Sequence, residues 1–90
     1  LEDRDYRLRR LKFRAWHRGT KEADLLIGGF ADRYADAWND AELAWFEAAL
    51  EEQDVDVMGW AFGTIAPPPA FEGPMLDALR RLDYVAMQAR

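Results

Sequence analysis

No proline interrupts the first sixty-six residues of this chain; all four prolines fall at positions 67–69 and 74. Proline removes a backbone donor and clashes with the preceding helical turn, so its absence leaves that whole stretch open to helix. Apolar residues recur there at spacings of three and four, and the two-residue alternation of a half-buried strand is missing. The pattern predicts an all-α fold: a compact five-helix bundle forming a single domain over residues 1–90, with a proline-rich connector at about 64–73. Ninety residues, half of them hydrophobic, suffice for one core of limited size.

Local signals punctuate the helices. The first is expected from about Arg4 to Arg18, with Leu8, Leu11 and Ala15 on one face and Tyr6, Phe13 and Trp16 widening the apolar side. Gly19 then supplies a residue able to leave the right-handed region and end it. A second helix should open at Thr20 or Lys21, where Glu22 and Asp24 suit the positive end of the helix dipole. Its apolar stripe (Ala23, Leu26, Ile27, Phe30, Tyr34) contains Gly28-Gly29, which implies either a bend or a close approach by another part of the chain. Asn39 and Glu42 form a capping box for a third helix that turns Leu43, Phe46, Ala49 and Leu50 inward and Glu47, Glu51 and Glu52 outward. Asp54 is read as the cap of a fourth helix carrying Val57, Met58, Ala61 and Phe62, and Gly63 ends it. Pro67-Pro68-Pro69 suggests a stiff extended spacer. Pro74 then opens a last helix with Met75, Leu76, Leu79, Leu82 and Ala86 on its apolar side.

Charge is segregated along the chain. Residues 1–18 carry seven basic and three acidic side chains, a net +4, whereas the remainder nets −9. Arg7, Arg10, Arg14 and Arg18 share one helix face, which makes a nucleic-acid-binding or regulatory module the alternative function. The acidic whole, at a sequence pI of about 4.8, argues against direct contact with nucleic acid.

Catalytic chemistry finds few residues to work with. Serine and cysteine are both absent and the single histidine is His17, so neither a Ser–His or Cys–His pair nor a thiolate or histidine-rich metal site is available; a threonine nucleophile stays formally open, but Thr20 and Thr64 have no motif around them. No glycine-rich phosphate loop occurs, and no apolar run reaches the roughly 20 residues of a membrane span. The expectation is a binding protein that is not an enzyme, with no catalytic residues, no metal and no membrane insertion. The lack of cysteine fits a reducing compartment. Because the sequence starts at Leu1 rather than Met, its true start is expected to be missing.

The stretch from Arg14 to Phe30 (Arg-Ala-Trp-His-Arg-Gly-Thr-Lys-Glu-Ala-Asp-Leu-Leu-Ile-Gly-Gly-Phe) resembles the succinate dehydrogenase flavinylation and assembly factor family. The hallmark Arg-Gly-x-x-Glu stands here as Arg18, Gly19 and Glu22, with Asp24 as a frequent extension. The order of features around it adds specificity: an aromatic and basic first helix, an apolar second, a capped third, a stretch from Asp54 through Asp56-Val57 and Trp60 to Phe62, and a Leu-rich end. Residues 64–72 are longer and richer in proline than the resemblance leads one to expect.

The resemblance implies five packed helices and a chaperone for the flavoprotein subunit of succinate dehydrogenase or fumarate reductase, promoting its covalent FAD attachment. FAD would belong to the partner, with no obligate cofactor on this chain. The location implied is the bacterial cytoplasm, or the mitochondrial matrix in a eukaryote. Arg14, Trp16, His17, Arg18, Gly19, Glu22 and Asp24 become the partner-binding residues, centred on the corner between the first two helices. There Arg18 either offers its planar fork to a partner or pairs with Glu22 to brace the corner.

Overall fold

The computed structural model describes residues 3–86, and every regular element among them is helical. In chain order these are α1 (Arg4–Trp16), α2 (Lys21–Tyr34), α3 (Asp40–Leu50), α4 (Asp54–Phe62), α5 (Pro74–Arg81) and α6 (Asp83–Ala86). Short 3₁₀ turns at Ala35–Ala37 and Pro69–Phe71 lie in the connections before α3 and α5.

Caps set most of the helix starts. The Asp3 carboxylate accepts from the Tyr6 amide at 2.8 Å, and the Thr20 hydroxyl accepts from the Ala23 amide at 3.2 Å. Asn39 and Glu42 exchange two bonds of 2.8 Å in a complete capping box. Each satisfies amides that the first turn of a helix leaves without partners. Gly63 closes α4 at φ +78°, in the left-handed region. Asp54, expected to cap α4, is instead its first helical residue; Gln53 precedes it and makes no side-chain capping bond.

The core gathers around Phe30, whose ring lies 5.1 to 5.9 Å from those of Tyr84, Trp38, Tyr34 and Phe46. Tilted rings at such separations are favourable beyond the area they bury. Leu43, Phe46, Ala49 and Leu50 turn inward as expected. On α1 only Leu11 and Ala15 are fully buried, while Tyr6 and Phe13 are exposed, so the apolar side is narrower than the pattern suggested. On α4 it is Trp60 that enters the core, and Phe62 stays out.

Gly28 resolves the question raised by the Gly28-Gly29 pair. The helix runs unbroken from Lys21 to Tyr34, and the Trp16 indole lies flat where a side chain at position 28 would be. The indole N–H reaches Asp32 at 3.1 Å, so one tryptophan fastens α1 to two successive turns of α2.

The proline-rich connector is not a bare spacer. Its Phe71 is buried between Trp60, 4.8 Å between ring centres, and Trp45, 5.7 Å away and nearly perpendicular. The Trp45 indole N–H donates to the Phe71 carbonyl at 3.1 Å. The last helix is also divided: Leu82 adopts φ +56° and separates α5 from α6. Residues 79 and 84 would face about 140° apart on one continuous helix. The left-handed residue brings both into the core, and the Tyr84 hydroxyl donates to the Leu79 carbonyl at 2.6 Å. Burial is the main cause that pushes the Tyr84 phenol well above its ordinary pKa, with Asp83 and then Tyr34 adding to it.

Candidate functional site at the corner of α1 and α2

The basic stripe of α1 meets the acidic side of α3 and the start of α4. Arg7 grips Glu47 with two bonds, from Nε at 3.0 Å and from Nη2 at 2.8 Å. Arg14 reaches Glu51 at 2.5 Å, and Arg18 reaches Asp54 at 2.8 Å. Arginine numbers and acid numbers rise together along this ladder of charge. The Arg7 hydrogen bond is the leading cause holding the Glu47 carboxyl below its usual range; partial burial opposes it, and the charges of Arg7, Arg10 and Arg14 reinforce it. Arg10 lies over the Tyr6 ring at 5.5 Å, so all four arginines that suggested a nucleic-acid face have contacts within the chain, and Glu47 is part of the ladder rather than a purely solvated acid.

The corner itself is built from residues that the sequence places far apart. α1 ends at Trp16, two residues earlier than expected, because the Arg18 amide turns away to donate to the Asp24 carboxylate at 2.6 Å. The Arg18 side chain is only 13% exposed. Its Nε donates to Asp54, Nη2 to the Leu50 carbonyl at 2.9 Å, and Nη1 to the Arg14 carbonyl at 3.4 Å. A guanidinium offers its five N–H groups in a rigid plane, and here every nitrogen faces a partner in the chain. Arg18 therefore joins the end of α1 to the end of α3 and the start of α4. It presents no open fork, and its acid is Asp54 rather than Glu22.

Beyond Arg18 the surface opens. Gly19 has φ +118°, a value that favours glycine, and a side-chain carbon placed there would meet nothing within 4 Å. His17 is exposed, stacked on Phe13 at 3.9 Å between ring centres, with Nδ1 2.6 Å from the Phe13 carbonyl. Glu22 is exposed, and among the described residues no hydrogen bond or ion pair engages it. Of the seven residues singled out in sequence, Arg14, Trp16, Arg18 and Asp24 are committed to contacts within the chain. His17, Gly19 and Glu22 face outward.

Sequence reasoning missed the neighbours of Glu22. An open cleft of about 510 Å³ lies between the start of α2 and α4, bordered by Glu22, Asp54, Val55, Met58, Phe62 and Ile65. A second, of about 340 Å³, shares Glu22, Met58 and Phe62 and adds Leu25, Leu26 and Val85. The signal was the pair Val55 and Phe62 on a short helix whose inward positions were already filled by Val57, Trp60 and Ala61. Among the described residues, Glu22 and Asp54 are the only charged ones lining either cleft, and the diphosphate of FAD would meet two carboxylates there. The clefts do not fit that group. Among the described residues, no cluster of three or more His, Cys, Asp or Glu side chains could hold a metal, and no helix is long and apolar enough to cross a membrane.

Comparison with known proteins agrees with the family resemblance. Residues 9–83 match the family described as "Flavinator of succinate dehydrogenase". The chain is 49% identical over 70 residues to "FAD assembly factor SdhE" of Acetobacter pasteurianus, covering 78% of this chain and 64% of that protein. It is 38% identical over 60 residues to "Succinate dehydrogenase assembly factor 2, mitochondrial" of Saccharomyces cerevisiae, covering 67% of this chain and 37% of that protein. The protein of the same name in Schizosaccharomyces pombe is 36% identical over 67 residues, 74% of this chain and 48% of that one. The matched span is thus less than two thirds of each relative's length. From the family match across nearly the whole chain, and from these relatives, the chain belongs to the succinate dehydrogenase flavinator family.

Proposed function

We propose that this protein is an assembly factor that binds the flavoprotein subunit of succinate dehydrogenase, or of the related fumarate reductase, and promotes covalent attachment of FAD to it. The observation that carries this reading is the corner: a largely covered Arg18 holds Gly19 and Glu22, which has no partner among the described residues, at the surface, inside a chain whose family and relatives carry flavinylation and assembly names. A positive-φ glycine with open space above it lets a partner backbone come close. The free carboxylate of Glu22 beside it can accept donors from the partner. The factor acts by holding the flavoprotein in a conformation that favours bond formation, and it supplies no catalytic residue. The attachment chemistry belongs to the partner and its flavin. The factor works where the flavoprotein folds: the cytoplasm of a bacterium, or the mitochondrial matrix of a eukaryote.

The test is removal of the protein from its host, followed by in-gel fluorescence of covalently bound flavin on the denatured flavoprotein subunit. The signal should fall sharply and return when the wild-type chain is restored. Unchanged fluorescence, with no co-purification of the subunit, would overturn the reading.

A further inference from the structure

Five large apolar side chains among the described residues are strongly exposed: Tyr6, Phe13, Val55, Phe62 and Ile65. Three of these five, Val55, Phe62 and Ile65, border the same cleft beside Glu22. Val55 is 67% exposed and Phe62 is 55% exposed, although both sit on a helix that has its own buried face. Leu25 and Met58 extend this surface into the second cleft, and Glu22 stands at the mouth of both. Singly exposed apolar residues are ordinary, but a contiguous group around a concavity marks a contact surface.

Charge selects the occupant. Among the described residues no basic side chain lines either cleft, Asp54 is already engaged by Arg18, and Glu22 is the one lining charge without a partner. We propose that the α2–α4 cleft receives a segment of the flavoprotein subunit in which an apolar side chain enters between Met58 and Phe62 while an adjacent Lys or Arg pairs with Glu22. This rests on the proposed function and adds to it the surface and the chemistry of the segment bound. Burying Val55 and Phe62 then supplies affinity, and the single unpaired carboxylate fixes the register of the segment.

The experiment measures binding of the purified flavoprotein subunit lacking covalent flavin to the wild-type chain, to the double variant Val55→Gln/Phe62→Gln, and to Glu22→Lys. Tyr6→Gln, on the far end of α1, serves as the control for loss of an exposed aromatic. All replaced side chains are exposed, and circular dichroism with a thermal melt checks that each variant folds. The expected result is a Kd raised about tenfold or more for the double variant and for Glu22→Lys, against less than about twofold for Tyr6→Gln. Wild-type affinity in the double variant would overturn the cleft and leave the flavinylation reading standing. No binding by the wild-type chain would overturn both. A photo-crosslinker placed at position 62 should in addition capture a flavoprotein peptide that contains Lys or Arg beside an apolar residue. Capture of a peptide without a basic residue would overturn the charge pairing.

Discussion

Arg18 and Asp54 lie thirty-six residues apart in sequence and 2.8 Å apart in space, and their contact closes the corner from which Gly19 and Glu22 project. Arg18→Lys keeps the charge but loses the plane that serves Asp54, Leu50 and Arg14 together. It should destabilise the fold by about 1–3 kcal/mol in urea unfolding. Asp54→Asn should act in the same direction. The double variant should fall short of the sum, with a coupling of about 0.5–3 kcal/mol. Strict additivity would mean that the pair does not act as one brace.

Gly19 separates conformational strain from steric exclusion. At φ +118° any side chain is strained, yet the chain itself leaves the space above it open. Gly19→Ala should therefore cost about 1–3 kcal/mol of stability. Gly19→Arg should cost a similar amount but also abolish binding of the flavoprotein subunit, because only the larger side chain fills the approach. Equal affinities for the two variants at a temperature where both are folded would remove the docking role of this glycine.

At Gly28 the sign of the effect is diagnostic. Replacing a mid-helix glycine by alanine ordinarily stabilises a helix by up to about 1 kcal/mol. Here the added methyl meets the Trp16 ring, so Gly28→Ala should instead destabilise by about 1–3 kcal/mol. Tryptophan fluorescence should shift as the indole leaves Asp32. A stabilised variant would mean that the ring moves aside at no cost.

Glu47 contributes an acid-sensitive element. Its carboxyl is held below the usual range chiefly by the Arg7 hydrogen bond, so the folded state prefers the ionised form more than the unfolded state does. Its stabilisation is fully present above the ordinary carboxylate pKa and is lost as pH falls through the lowered folded value. Glu47→Gln should lower stability at neutral pH and flatten its fall below about pH 4.5. Parallel stability–pH curves for variant and wild type would refute the assignment.

Features legible in the sequence were those set by neighbours along the chain. Asn39 and Glu42 announce their capping box within four residues, and Gly63 marks its own helix end. The inward face of α3 follows from spacing alone. At the site, the sequence located the corner between α1 and α2, but not what holds Arg18. A side chain that chooses between an acid four residues away and one thirty-six away is decided by packing, and Asp54 read locally as a cap. The same holds for Phe71, whose partners Trp45 and Trp60 lie on two earlier helices, and for Tyr84, which reaches Phe30 only because Leu82 leaves the helical region. Contact surfaces were the least legible, since Phe62 looks like a core residue until Trp60 is seen to occupy that place.

The ladder of Arg7–Glu47, Arg14–Glu51 and Arg18–Asp54 also sets an order of events during synthesis. Translation delivers the arginines first, and each waits at least thirty-six residues for its acid. Until Glu47 and Glu51 have left the ribosome, Arg7 and Arg14 lack the acids that pair with them in the folded chain. The last rung to form is the one that locks the corner, so the surface offered to a partner is finished only after the start of α4 has emerged.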